Sequence, residues 1–195
     1  PPPGANPSEP TTPMPAPKPV FPSTARVLMV TVNYRTADMT IRCLASLEAE
    51  RSSFQELQAV VVDNDSRDGS ASRLRSTLVQ RGWSDWVRLI ESPVNGGFGA
   101  GNNLALRAAM ALPAPPDYVL LLNPDAAVDP GAVATLVDFL AEHPQAGIAG
   151  PRTEVGRGHL RGSAFRFPGI LNSLDEGLHF GPVTRLLALW QQAPP

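Results

Sequence analysis

Lysine is almost missing from this 195-residue chain: Lys18 is the only one, and every other basic residue is arginine. Sixteen basic against 18 acidic residues give a formal net charge of -2. No basic field results, which argues against nucleic acid as the main partner. Cysteine is limited to Cys43, so no intramolecular disulfide or multi-cysteine metal site can form, and a reducing compartment fits. No stretch approaches the ~20 apolar residues of a membrane-spanning helix, and no signal peptide is visible. The first residue is proline rather than methionine, as expected of a processed chain or a fragment.

Proline, by contrast, is abundant, with 22 residues, and it is concentrated at the start. "PPPGANPSEPTTPMPAPKPVFP" cannot form a helix or an interior strand, because proline donates no backbone hydrogen bond. Residues 1–24 therefore read as a disordered or polyproline-like tail, a solvated linker rather than a ligand for a proline-binding module.

From Arg26 onward the pattern alternates. "RVLMVTVN" predicts a strand, and "ADMTIRCLASLEAE" a helix with Met39, Cys43, Leu44 and Leu47 at helical spacing. "LQAVVVD" predicts a second, buried strand. "GSASRLRSTLVQRG" predicts a helix with Leu74 and Leu78 on one face, stopped by Gly82. "WVRLIES", "FGAGNNLALRAAMAL" and "DYVLLLN" continue as strand, helix and strand. "PGAVATLVDFLAEH" is a helix with proline at or just before its first turn, and "AGIAGP" a short fifth strand. The alternation predicts an α/β fold with a mostly parallel central sheet flanked by helices.

In such sheets ligands bind beyond the carboxyl ends of the strands. Asn33 and Tyr34 follow the first strand, Asp63 to Asp65 the second, Asn95 to Gly97 the third, and Asn123 to Asp125 the fourth. Parallel strands would place all four clusters on one rim. One cluster would be turn chemistry, whereas four on one edge point to a site.

Each cluster carries a structural and a functional reading. "VVVDNDSRDGS" is turn-forming sequence, and Asp63 is also an acceptor suited to a pyrimidine N–H or a ribose hydroxyl. A calcium loop fails there because Arg67 occupies the fifth position. A phosphatase of the haloacid dehalogenase type fails because it needs a later lysine, and Lys18 lies upstream. "NGGFGAGNNLAL" allows close backbone approach to phosphate at a helix start. It is not a dinucleotide fingerprint, because Asn102 stands where the third glycine belongs and the loop follows the third strand. Asn102 and Asn103 read equally as caps or as polar ligands. Asp125 in "LLLNPDA" is a capping residue or a hard oxygen ligand for Mg²⁺ or Mn²⁺, with substrate phosphates completing the shell.

The remaining candidates form no motif. His143 falls near a predicted helix end, His159 and His179 fall in loop-like sequence, and Cys43 falls on an apolar helix face. No G-x-S-x-G elbow is present. Arg152, Arg157, Arg161 and Arg166 read either as a diphosphate clamp or as solvated loop residues.

Taken in order and spacing, "VTVNYRTADMTIRCLASL", "VVVDNDSRDGS", "NGGFGAGNNLAL", "LLLNPDA" and "GPR" resemble the family 2 glycosyltransferases of the GT-A fold. Their likeness is to the bacterial rhamnosyltransferase-like branch, in which N-P-D stands for D-x-D, and it covers roughly residues 26–170. The resemblance implies inverting transfer of a sugar from a nucleotide diphosphate, with dTDP-rhamnose or a UDP-sugar as candidate donors, to a hydroxyl on a glycan or lipid-linked acceptor. By the same resemblance Thr31, Val32, Asn33 and Tyr34 line the base, and Asp63 contacts base or ribose, with Asn64 and Ser66 shaping the turn. Gly97, Asn102 and Asn103 border the ribose and diphosphate, and Asp125 holds the metal. Asn123 takes the first acid's place and reaches the ribose or a metal-bound water. A surface-polysaccharide pathway in the cytoplasm, with at most peripheral membrane association, is implied.

The division expected is a tail over 1–24, a nucleotide-sugar-binding domain over 25–170, and a partial acceptor-side segment over 171–195. Inversion also needs a base opposite the leaving group. The late pair Asp175 and Glu176 lacks the aromatic-rich setting of the family's acidic motif, so no base is assigned. The contrasting expectation is an inactive remnant or module that binds nucleotide-sugar without transferring it. A scaffold recruiting partners through its proline-rich ends is the third.

Overall fold

The computed structural model describes residues 23–155 and 159–161. Most of the predicted tail, Arg157, Arg166, His179 and the segment 171–195 with Asp175 and Glu176 lie outside the described residues.

Four strands make one parallel sheet: β1 (Ser23–Asn33), β2 (Phe54–Asn64), β3 (Val87–Ser92) and β4 (Tyr118–Leu121), in the order β3-β2-β1-β4. Between and after them run α1 (Ala37–Glu48), α2 (Ser70–Gln80), α3 (Gly97–Met110) and α4 (Ala132–Glu142). A 3-10 turn, Ala49–Ser53, extends α1. All four strands are parallel, so their carboxyl ends share one edge, as the alternation predicted.

Period-two alternation sends successive strand residues to opposite faces. Val27 and Met29 of β1 with Leu57, Ala59 and Val61 of β2 join the larger core, under α1, α2 and α4. Trp83 and Trp86 close that layer in a T-shaped pair with centroids 5.9 Å apart. Leu28, Val30, Val60 and Val62 face α3, which contributes Ala105 and Ala109. Gly101 permits that approach, because a Cβ there would lie 2.9 Å from Val32 Cγ1.

Two boundaries and one element differ from expectation. Both β1 and β2 begin three residues early, because Ser23 pairs with Phe54 across a register shift before Arg26 meets Glu56. The strand thus enters the predicted tail. "AGIAGP" forms no strand: residues 146–151 make no ladder, and Ile148 is 91% exposed. Its small residues offer little surface to bury. Instead β5 (Thr153–Val155) and β6 (His159–Arg161) pair antiparallel.

Two compact units divide inside α4, between Asp138 and Phe139. The first holds the four-stranded sheet. The second begins with the end of α4, where the Phe139 and His143 rings lie 4.4 Å apart, and contains the β5–β6 pair.

Candidate functional site

At the end of β1, Asn33 is fully buried and all its polar atoms are engaged. Its Nδ2 donates to Asp63 Oδ1 at 2.6 Å and to Ser66 Oγ at 3.2 Å. Its Oδ1 accepts from Thr36 Oγ1 at 3.2 Å and Thr40 Oγ1 at 3.0 Å. Asp63, at the same register position in β2, also accepts from Ser66 Oγ at 2.6 Å and from the Ser66 N–H at 3.2 Å. Ser66 Oγ in turn accepts the Arg35 N–H at 3.0 Å, which binds the loop after β1 to the loop after β2. A buried network satisfied this fully rigidifies its surroundings.

The rim is also where the backbone is least relaxed. Arg35, Asp65 and Arg67 are the non-glycine residues with left-handed φ among the described residues, at 58°, 59° and 53°. Such backbone costs on the order of 1–3 kcal/mol and persists only where surrounding contacts over-determine it. Asp68 accepts the N–H of Ser70, the first residue of α2, at 3.0 Å, and the Ser70 donors hold its carboxyl below the ordinary value. Tyr34 stands 41% exposed at the edge, with the Arg35 guanidinium 5.0 Å from its ring centroid.

On the α3 side, Asn64 shapes the glycine loop. Its Nδ2 donates to Asn95 Oδ1 at 2.8 Å and to the Gly97 carbonyl at 3.2 Å, and its Oδ1 accepts the Gly96 N–H at 3.3 Å. Asn95 Oδ1 accepts the Gly97 N–H at 3.0 Å, and Gly97 adopts φ 80°, a conformation glycine takes without penalty. Asn102 is 4% exposed and donates to the Phe98 carbonyl at 3.0 Å, while its Oδ1 is buried without a donor. Asn103 is exposed on the same helix.

After β4 the chain makes a turn from Asn123 to Ala126, closed by the Ala126 N–H on the Asn123 carbonyl at 3.1 Å. Pro124 sits at the second position, where its fixed φ suits a turn, and Asp125 occupies the third. Asp125 is exposed and bonds to no other described side chain. It lies within electrostatic reach of Cys43, whose thiol is pushed up to about 12, first by burial and then by the Asp125 charge. Among the described residues no group of three or more His, Cys, Asp or Glu could enclose a metal. One exposed carboxylate on the edge that also carries the glycine loop fits Mg²⁺ or Mn²⁺, which keep water and take substrate phosphates as ligands.

The predicted residues thus separate into two sets. Tyr34, Gly97, Asn103, Asn123 and Asp125 present exposed surface at the rim, whereas Thr31, Val32, Asn33, Asp63, Asn64, Ser66 and Asn102 are buried. Thr31 has no exposed surface and Val32 packs on α3, so their side chains lie beneath the rim. Thr36 and Thr40, as well as the α1 contacts to the Asp125 loop, did not figure in the sequence reading. Thr36 and Thr40 stand four apart after a strand end, which is a legible spacing; the α1 contacts leave no local signal. An open cleft of about 730 Å³ lies beside the rim at the first turns of α1 and α2, lined by Arg35, Asp38, Arg42, Asp68 and Arg73 among others. None of the predicted site residues lines it.

Four parallel strands flanked by helices, with a polar rim and a glycine loop that opens α3, are the architecture of a GT-A domain. Residues 27–177 match the model of glycosyl transferase family 2, and this chain belongs to that family. The N-acetylglucosaminyl-diphospho-decaprenol L-rhamnosyltransferase of Mycobacterium tuberculosis is 30% identical over 157 residues, 77% of this chain and 48% of the relative. The chain therefore spans about half the length of the curated relatives it matches. The mannosyltransferase PcManGT from Pyrobaculum calidifontis, solved in complex with GDP-Man and Mn²⁺, is 26% identical with a TM-score of 0.51, over 64% of this chain and 36% of that one. S. aureus TarS, at 22% identity and a TM-score of 0.50 over 61% of this chain and 20% of its own, is a likeness of fold alone. The family and the fold implied by the motif order are both borne out. No helix among the described residues is long and apolar enough to cross a membrane.

Proposed function

We propose that this chain is the donor-binding part of an inverting glycosyltransferase that takes a nucleotide-diphosphate sugar together with Mg²⁺ or Mn²⁺. The observation that carries the reading is Asp125, exposed, unpartnered among the described residues, and on the same rim as the Asn64-held glycine loop. Asp125 would hold the cation, with Asn123 beside it. Bound there, the cation would offset charge on the departing diphosphate as a Lewis acid. Tyr34 offers a ring face to the base. The Asn33–Asp63–Ser66 network keeps both loops in place, so fixed dipoles need no reorganisation when the sugar leaves. The acceptor we infer is a hydroxyl on a lipid-linked diphospho-glycan at the inner face of a membrane, after the substrate in the name of the mycobacterial relative.

Titration with UDP-, dTDP- and GDP-sugars, with and without Mn²⁺, tests this. Metal-dependent binding that Asp125→Ala abolishes is the expected result. Binding that is indifferent to both metal and Asp125 would sink the assignment.

A second reading, binding without transfer, has a specific basis. Of the described rim carboxylates, Asp63 is internally bonded, Asp65 pairs with Arg67 at 2.7 Å, and Asp68 accepts the Ser70 N–H, which leaves Asp125 for metal and none as base. A radiolabelled-sugar transfer assay on this chain, run beside the nucleotide-sugar titration, separates the two readings: transfer supports the first, and binding without transfer the second.

A further inference from the structure

Three groups along one face of α1 and its 3-10 extension reach across to the chain that carries Asp125. Cys43 Sγ, fully buried, donates to the Asn123 carbonyl at 3.7 Å. Ser46 Oγ accepts the Val128 N–H at 3.0 Å while donating to the Cys43 carbonyl at 2.7 Å. Glu50 is 1% exposed, and its two carboxylate oxygens accept the N–H groups of Gly131 and Val133, the latter at 3.1 Å. Residues 43, 46 and 50 follow the i, i+3, i+7 spacing of a single helix face. Their targets step along the loop in the same order: 123, 128, 131 and 133.

We infer that this face of α1 is a positioning device for the metal carboxylate, with Cys43, Ser46 and Glu50 as positioning residues. β4 pairs with β1 only as far as Val30–Leu121, and one further bond, Leu122 N–H to the Val30 carbonyl at 3.0 Å, ends its attachment to the sheet. Beyond that bond the sheet no longer determines where the Asn123–Ala126 turn lies. Cys43 fixes the carbonyl that closes the turn, Ser46 fixes the return strand of the loop, and Glu50 anchors its far end at the start of α4. Glu50 also satisfies the Gly131 and Val133 amides at the start of α4, where a carboxylate is favoured by the helix dipole. The inference rests on the reading of Asp125 as the metal ligand and extends it to residues that touch neither metal nor donor.

The test uses the full 195-residue chain with three variants. Ser46→Ala removes an acceptor. Ser46→Thr keeps a hydroxyl. Glu50→Gln leaves one acceptor where two amides need one each. Leu78→Ala, on the core-facing side of α2, is a control that lowers stability without touching the loop. Mn²⁺ affinity is measured by electron paramagnetic resonance in the presence of UDP, dTDP or GDP, and hydrogen exchange is followed at Ala126, Val128, Gly131 and Val133. Ser46→Ala and Glu50→Gln should weaken Mn²⁺ binding roughly three- to tenfold, the scale of one lost hydrogen bond, and speed exchange at those amides. Ser46→Thr and Leu78→Ala should leave the affinity near wild type. Faster exchange with unchanged Mn²⁺ affinity would overturn the positioning role, as would equal weakening by Leu78→Ala. If the wild-type chain itself binds no Mn²⁺ with any of the three nucleotides while exchange in the variants still speeds up, the metal reading fails, and the clamp is structural only.

Discussion

Asp63, next to last in β2, has 4% of its surface exposed and three donors on its carboxylate, whereas Asp125 follows β4, exposed and bonded to no other described side chain. Both follow apolar runs, Val60–Val62 and Val119–Leu122, so their local sequence does not separate them. Burial separates them, and burial is a property of the assembled sheet. A carboxylate with three internal donors is part of the scaffold, and one with none among the described residues is available to a ligand. Asp63→Asn should therefore destabilise the fold by about 1–3 kcal/mol, because an amide NH₂ would face donors that need an acceptor. Urea denaturation measures this, and an unchanged midpoint would contradict the structural role. Glu50 shows the limit of reading by residue. In "SLEAERSS" it is one of three acidic or basic neighbours with nothing to mark it, and only the return of the chain to Gly131 and Val133 gives it partners.

At the scale of elements, the eight strands and helices of the first unit were legible because each pairs a clear hydrophobic period with turn or capping residues. The failure was "AGIAGP", an apolar run too small in side-chain volume to find a partner, while the β5–β6 pair was missed because three-residue strands carry no period. Edge strand β4 is short, and its start is fastened to β1 by an ion pair. The Arg26 backbone N–H and Nε donate to Asp117 Oδ2 at 2.9 and 3.1 Å, and Nη2 donates to Oδ1 at 2.8 Å. These contacts hold the Asp117 carboxyl down at about 2, the hydrogen bonds from Arg26 being the main cause. A carboxyl whose folded value lies below its unfolded value of about 3.9 adds stability above that value and loses it as pH falls through the folded one. Asp117→Asn should thus be less stable than wild type near neutrality, with the gap closing between roughly pH 4 and pH 2. Denaturation midpoints compared across that range check it; a gap that persists below pH 2 would show another cause. Added salt should narrow the gap at neutral pH, since the pair is open to solvent.

For the whole molecule, the donor set predicts how ligands should act together. With no cluster of metal-ligating side chains among the described residues, Mn²⁺ alone should barely shift thermal unfolding. Mn²⁺ with the correct nucleotide diphosphate at about a hundred times its dissociation constant should stabilise the fold by about 2.7 kcal/mol, or roughly 5–10 °C. A large shift with metal alone would mean a different site. The sequence by itself determined the α/β alternation, the family, and the set of polar loops that parallel strands would bring to one edge, because hydrophobic period, turn chemistry and motif order are local properties. Tertiary structure alone decided which carboxylate supports the rim and which is free to meet a ligand. It also decided that α1, rather than β4, carries the loop of Asp125. Burial decides the first, and the second depends on hydrogen bonds between residues 80 or more positions apart, as between Cys43 and Asn123, partners that no short stretch of chain contains.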